Sequence, residues 1–186
     1  NKNTTGCINT AFGYQALYCN TTGCENVAIG RRALCCNSTG SMNTAIGADT
    51  LTKATGSYNT AVGKNALFST TSGQYNTAMG LSVMYNNTTG CRNTAVGRSA
   101  LSSNTTGCNN TASGFYSLYA TTTGKNNTAY GAWSLRCTTT GCRNAAFGQS
   151  AMEKSTTGCW NTSIGTRSLY SSTTACFNTA VGGCSL

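Results

Sequence analysis

The sequence predicts an all-β fold: a parallel β-solenoid, or β-roll, of about eleven 17-residue coils, forming a single repeat array over residues 1–186 with no separate caps. Three observations lead there. The segment Asn9-Thr10-Ala11-Phe12-Gly13 returns as Asn26-Val27-Ala28-Ile29-Gly30 and so on to Asn178-Thr179-Ala180-Val181-Gly182, eleven copies in all. The closing glycines, from Gly13 to Gly182, are spaced 17 residues apart except for a single step of 16. Each unit also carries Thr, Asn and Gly in quantity, all poor helix formers, and its apolar residues are too sparse for a 3.6-residue stripe.

With the repeated Asn as position 1, each unit has the same parts in order. Positions 2–4, Thr-Ala-apolar, are expected to be one short extended segment, and the small residue and Leu at positions 8–9 a second. Gly at position 5 and a Thr-Thr-Gly run at positions 13–15 are expected to be turns, the glycines supplying positive φ or close backbone approach. Ala175 replaces Gly in the second of those columns, so that turn need not be left-handed. The 16-residue unit has lost its residue near Lys53-Ala54-Thr55-Gly56, which marks that stretch as a surface loop.

Reading down the columns gives a candidate core. Position 3 is Ala in ten units and Ser163 in the other, and position 9 is Leu or Met throughout, from Leu17 to Leu186; both are expected to face inward. Position 4 is apolar except for Ser113. Neighbouring side chains alternate across a strand, so positions 3 and 4 cannot both enter one core unless the chain bends between them. One of these columns is therefore expected to face a second layer, such as a partner subunit. Position 1 is occupied by Asn9, Asn26, Asn43, Asn59, Asn76, Asn93, Asn110, Asn127, Asn144, Asn161 and Asn178, an expected structural ladder of hydrogen bonds along the axis.

Composition narrows the chemistry. The chain has no His and no Pro, 12 Lys or Arg, and only three carboxylates, Glu25, Asp49 and Glu153, for a net charge of +9. Little is left for acid–base catalysis or an oxygen-ligand metal site, so an enzyme is not expected, nor a metal or cofactor. The cations are scattered around the unit and do not form a reading surface with the aromatics, so no specific nucleic-acid partner is expected; an anionic extracellular or cell-surface polysaccharide would use the same charge. No apolar run approaches the length of a membrane span, and the chain, starting without Met, reads as a mature or excised portion.

Twelve cysteines point to an oxidising, extracellular setting. Cys7, Cys24, Cys91, Cys108, Cys142, Cys159 and Cys176 share position 16, and column neighbours about 4.8 Å apart fall within disulfide reach. Candidate bridges are Cys7 to Cys24, Cys91 to Cys108, and Cys159 to either Cys142 or Cys176; Cys19 and Cys36 share position 11 and form another. A rival scheme joins Cys19 to Cys24 and Cys137 to Cys142 within a coil, and spacing leaves both open. Zinc is disfavoured by the absence of His and of any Cys-x2-Cys pair. Sequons make Asn3, Asn20, Asn37, Asn87 and Asn104 candidate glycosylation sites, all at turn position 12, with further sequons at Asn86, Asn109, Asn126 and Asn161. A second copy placed after Leu186 would continue the repeat in phase, so a longer repeat fibre or a head-to-tail joint at Asn1, Cys7, Cys176 and Leu186 is expected.

The pattern Asn93-Thr94-Ala95-Val96-Gly97, then Ala100-Leu101, then Thr106-Gly107 and Asn110, repeated over the whole chain, resembles the head repeats of trimeric autotransporter adhesins and related repeats of phage tail fibres. The resemblance implies a left-handed parallel β-roll, often trimeric, used for surface attachment. The 17-residue unit is longer than that family's, with the extra length in the Thr-rich turn, and the abundant Cys departs from it. The expected function is a structural extracellular fibre or filament with an adhesive surface, located outside the cell or on its surface and partnered by further copies of itself. The alternative is an ice-binding, antifreeze role using the Thr ladders, since Thr fills position 2 in nine of eleven units. A lectin-like role for exposed aromatics such as Tyr75, Trp133 and Trp160 is compatible with adhesion.

Overall fold

The computed structural model describes residues 2–185 and is a parallel β-solenoid. Each coil contributes one three-residue strand: β1 (Thr10–Phe12), β2 (Val27–Ile29), β3 (Thr44–Ile46), β4 (Thr60–Val62), β5 (Thr77–Met79), β6 (Thr94–Val96), β7 (Thr111–Ser113), β8 (Thr128–Tyr130), β9 (Ala145–Phe147), β10 (Thr162–Ile164) and β11 (Thr179–Val181). They form one eleven-stranded sheet in sequence order, every position pairing with its own repeat, as in Ala28 with Ala45. The register passes unchanged through the short unit, where Thr44 pairs with Thr60. The missing residue is absorbed in the turn. That turn is not wholly a surface loop, because Ala54 is fully buried.

The second expected extended segment is absent among the described residues. Positions 6–11 form a tight corner in which position 9 has φ of +47° to +52°, from Met84 to Leu101 and Met152. Positions 7 and 17 are also left-handed, as at Trp133 (φ 59°) and Trp160 (φ 61°). A β-branched side chain is strained at such φ. This accounts for Leu or Met, never Val or Ile, at position 9, and for the absence of Val, Ile and Thr from position 7. At position 17, Ile8 is the one β-branched residue. Gly at position 5 has φ of +117° to +138°, a region open in practice to glycine.

In β2 to β11 the central Ala, or Ser163, is buried while positions 2 and 4 face outward; in β1, with no strand on its other side, Ala11 is exposed as well. The core is a narrow column of Ala at positions 3 and 8 and Leu or Met at position 9. Each buried Leu contributes about 2 kcal/mol and Ala much less, so apolar burial per coil is modest. Hydrogen bonds supply the rest of the specificity. Where position 8 is polar, its hydroxyl finds a carbonyl in its own corner or in the next coil: Ser117 and Ser134 donate to Gly114 and Gly131 at 3.0 and 2.8 Å, and Thr50 and Ser168 donate to Gly63 and Ala180 of the following coil at 2.7 and 3.3 Å.

Candidate functional site

The Asn ladder is the interior framework that holds the surface columns in line. Asn110 illustrates it. Its backbone N–H and Nδ2 donate to Oδ1 of Asn93 at 2.9 and 3.2 Å, and Nδ2 also donates to the Gly124 carbonyl at 2.8 Å. Its own Oδ1 accepts the N–H and Nδ2 of Asn127 at 3.0 and 3.2 Å. The backbone link runs unbroken through the whole column, from Asn26 on Asn9 to Asn178 on Asn161.

A second, shorter ladder runs through position 12. Asn20 donates to Asn3 and Asn37 to Asn20, and Asn104 donates to Asn87. It stops where Ala54 and Thr121 stand in for Asn, and the buried Oδ1 atoms of Asn37 and Asn104 have no hydrogen-bond partner. This corrects the glycosylation expectation at Asn20, Asn37, Asn87 and Asn104. Their side chains are at most 2% exposed and their Nδ2 atoms are committed inside the coil, so no glycan could join them in the folded rod. Asn161 is buried in the same way, while Asn3, Asn86, Asn109 and Asn126 are exposed. A sequon cannot report which way its Asn points.

The position 16 thiols line one flank of the rod. Sγ of Cys7 lies 2.7 Å from that of Cys24, Cys91 lies 2.9 Å from Cys108, and Cys142 lies 3.0 Å from Cys159. The Cys159 N–H donates to Cys176 Sγ at 3.1 Å, making a three-cysteine run. These contacts run between coils and not across a turn, which favours the axial scheme over Cys19–Cys24 and Cys137–Cys142. The cysteines are free thiols. The hydrogen bond with the paired thiol pushes Cys7 and Cys91 above the ordinary thiol pKa, and burial pushes up Cys159 and Cys35. Cys19 and Cys36 occupy successive coils, and the Cys19 N–H donates to the Cys35 carbonyl at 2.9 Å.

The sheet face carries the most extended apolar feature. Position 4 points outward as a continuous column running from Phe12 and Ile29 through Met79 and Val96 to Val181. Its inner members are 38–46% exposed, apart from the half-buried Val62 and Ser113. Eleven strands make this strip about 50 Å long. Beside it runs the position 2 column of Thr.

The two ends of the rod differ. In the second glycine column φ is not left-handed; the constraint there is space. A Cβ built on any of its ten glycines, Gly6 to Gly158, would lie 2.1–2.6 Å from the carbonyl oxygen of the next member, far inside contact distance. Ala175 is the eleventh member, and by the same geometry its methyl projects to where the carbonyl of a further stacked coil would lie. Cys7 and Cys176 occupy one column at opposite ends; Asn1 and Leu186, also expected at an axial joint, lie outside the described residues.

Asp49 and Glu153 are each paired with arginine, Asp49 with Arg31 and Arg32, and Glu153 with Arg136 at 3.3 Å. Aromatics stack along the axis, Tyr58 on Tyr75 at 4.8 Å and Trp160 on Phe177 at 6.3 Å. Arg92 and Arg143 lie over Tyr75 and Trp160. Among the described residues, no helix is long and apolar enough to cross a membrane. Comparison with protein-family models, curated proteins and solved structures finds no match for this chain.

Proposed function

We propose that the chain is a structural, adhesive rod of an extracellular fibre, assembled from copies lying side by side through the outward position 4 column. The single observation that carries this reading is that column: an outward strip of about 50 Å, apolar at every coil but that of Ser113, is larger than the scattered apolar exposure ordinary surfaces carry. A second copy presents the same strip, so identical surfaces can cover one another in a homotrimer or a larger homopolymer. The resemblance to adhesin heads and tail-fibre repeats agrees with a surface-attached rod that works mechanically and carries out no catalysis.

The pair Met79→Glu and Val96→Glu puts two carboxylates into the middle of the strip while leaving the coil interior untouched. Wild-type protein is expected to sediment as multimers and the double variant as single rods. Wild-type protein that sediments only as single rods would overturn the reading.

In an oxidising medium the aligned thiols are expected to form three axial disulfides, Cys7–Cys24, Cys91–Cys108 and Cys142–Cys159. Each pair loses two electrons and two protons to a disulfide oxidant, which is reduced to two thiols. The thiolate is the attacking species, and Cys7, Cys91 and Cys159 hold their protons beyond the ordinary thiol range, so bridging accelerates as pH rises into the alkaline region. Peptide mapping under non-reducing conditions checks the pairing; bridges within a coil would refute it.

The ice-binding alternative gains one observation, the Thr column lying on the sheet face. Its neighbouring column varies from Ser113 to Tyr130, which roughens the plane that ice would have to match. A freezing-point gap in solution would favour this alternative over the fibre.

A further inference from the structure

We infer that the flank of the rod between Trp133 and Tyr170 is a binding site for an acidic saccharide, an inference that gives the adhesive reading its ligand class. Position 7 runs Trp133, Ser150, Arg167 in three successive coils. Two large side chains therefore flank a small one, and the interval between them spans two coil spacings, about 10 Å. The result is a cleft of about 480 Å³, within the range of pockets that take small ligands. Ser150, 8% exposed, forms its floor.

The walls differ in chemistry. On one side Trp133 and Tyr116 line the cleft, and both rings are braced edge-on against Phe115, with centroids 5.9 and 4.4 Å away and interplanar angles of 77° and 82°. Held rings of this kind offer a π-surface to the C–H face of a pyranose without further ordering cost. On the other side Arg167 lies over the Tyr170 ring at 4.8 Å. Among the described residues Arg167 has no carboxylate partner, whereas Glu153 is already neutralised by Arg136 at 3.3 Å. Lys154, 4.9 Å over the same Tyr170 ring, adds a second positive charge nearby. Gln149 supplies an amide that both donates and accepts toward hydroxyls.

An aromatic wall faces a cation unmatched by any carboxylate, over a polar floor, in a cleft that opens on the side of a rod. A sugar ring carrying a carboxylate or sulfate satisfies all of these at once. A neutral sugar would leave Arg167 without its counter-charge, and a featureless polyanion would leave the ring wall unused.

The test uses trigalacturonate with the full chain carrying Trp160→Phe, so that emission reports Trp133 alone of the two tryptophans. Saturable quenching is expected. Arg167→Gln should weaken binding about tenfold, the loss for one charge-assisted hydrogen bond. Arg92→Gln, the same charge change on a distant coil, should leave it unaltered, and maltotriose should not bind. The inference is overturned if trigalacturonate does not bind at millimolar concentration, if the two arginine variants lose affinity equally, or if maltotriose or an oligothymidylate binds as well. Running the titration on the dispersed Met79→Glu, Val96→Glu rods separates this outcome from that of the fibre reading, since binding there needs no assembly.

Discussion

Asn110→Ala is expected to be among the most damaging single substitutions in the rod, costing about 3 kcal/mol through several buried hydrogen bonds lost together. The methyl group cannot replace the donor to the Gly124 carbonyl at 2.8 Å or the acceptor for the Asn127 N–H at 3.0 Å. Both partners are buried and neither can turn to water. The damage is shared between two coil interfaces, since Asn110 is joined to Asn93 on one side and to Asn127 on the other. Thr106→Ala, at an exposed turn position in the preceding unit, is the control and should shift stability by less than about 0.5 kcal/mol. Chemical denaturation midpoints measure both. Equal midpoints for the two variants would mean that the ladder is a consequence of stacking and not a source of it.

The second large effect is a reciprocal exchange of one methyl group. Gly107→Ala places a Cβ 2.4 Å from both the Gly124 carbonyl oxygen and Asn104 Oδ1. The Gly124 carbonyl is backbone, and the Asn104 side chain is buried and held through Nδ2 by Asn87 and Gly107, so the coils must part locally, at a cost of about 3 kcal/mol. Ala175→Gly removes the same obstacle where no coil yet lies. It should leave unfolding almost unchanged and instead promote end-to-end contact, because the terminal coils present complementary halves of one ladder: the amide pattern seen from Thr162 to Asn178 at one end and its acceptors at the other. Electron microscopy of the 186-residue chain should show Ala175→Gly assemblies longer than those of the unsubstituted chain, growing in steps of about 50 Å. Indistinguishable length distributions would show that the Ala175 methyl does not limit end-to-end contact.

These two predictions draw on columns that were visible as columns from the start. The period, the Asn at every position 1 and the Leu or Met at every position 9 are enough to place residues above one another, and the structure pairs them in that register. The outward turn of position 4 was half visible: alternation demanded that position 3 or 4 leave the core, but could not say which. The left-handed corner was missed, although a signal was present. Position 9 excludes Val and Ile while position 4 accepts them, and a column that stays apolar yet refuses β-branching marks positive φ. The same signal would have replaced the expected second strand with a turn.

The sequons show the opposite failure, a motif read without its orientation. Asn104-Thr105-Thr106 satisfies the pattern for a glycan, but Asn104 spends its amide on Asn87 and Gly107 inside the coil. Nor could the cleft at Trp133 be found by scanning for aromatics. It exists because Ser150 lies between Trp133 and Arg167 in space, residues separated by a whole coil on each side.

The sequence by itself determined the repeat length, the parallel stacking and the register, because a period of 17 leaves identical side chains only one way to meet identical partners. The tertiary structure alone decided which columns enter the core, which thiols meet, and that the second glycine column is a matter of clearance. Those outcomes depend on backbone torsions at positions 7, 9 and 17 and on distances between coils, and a linear period encodes neither.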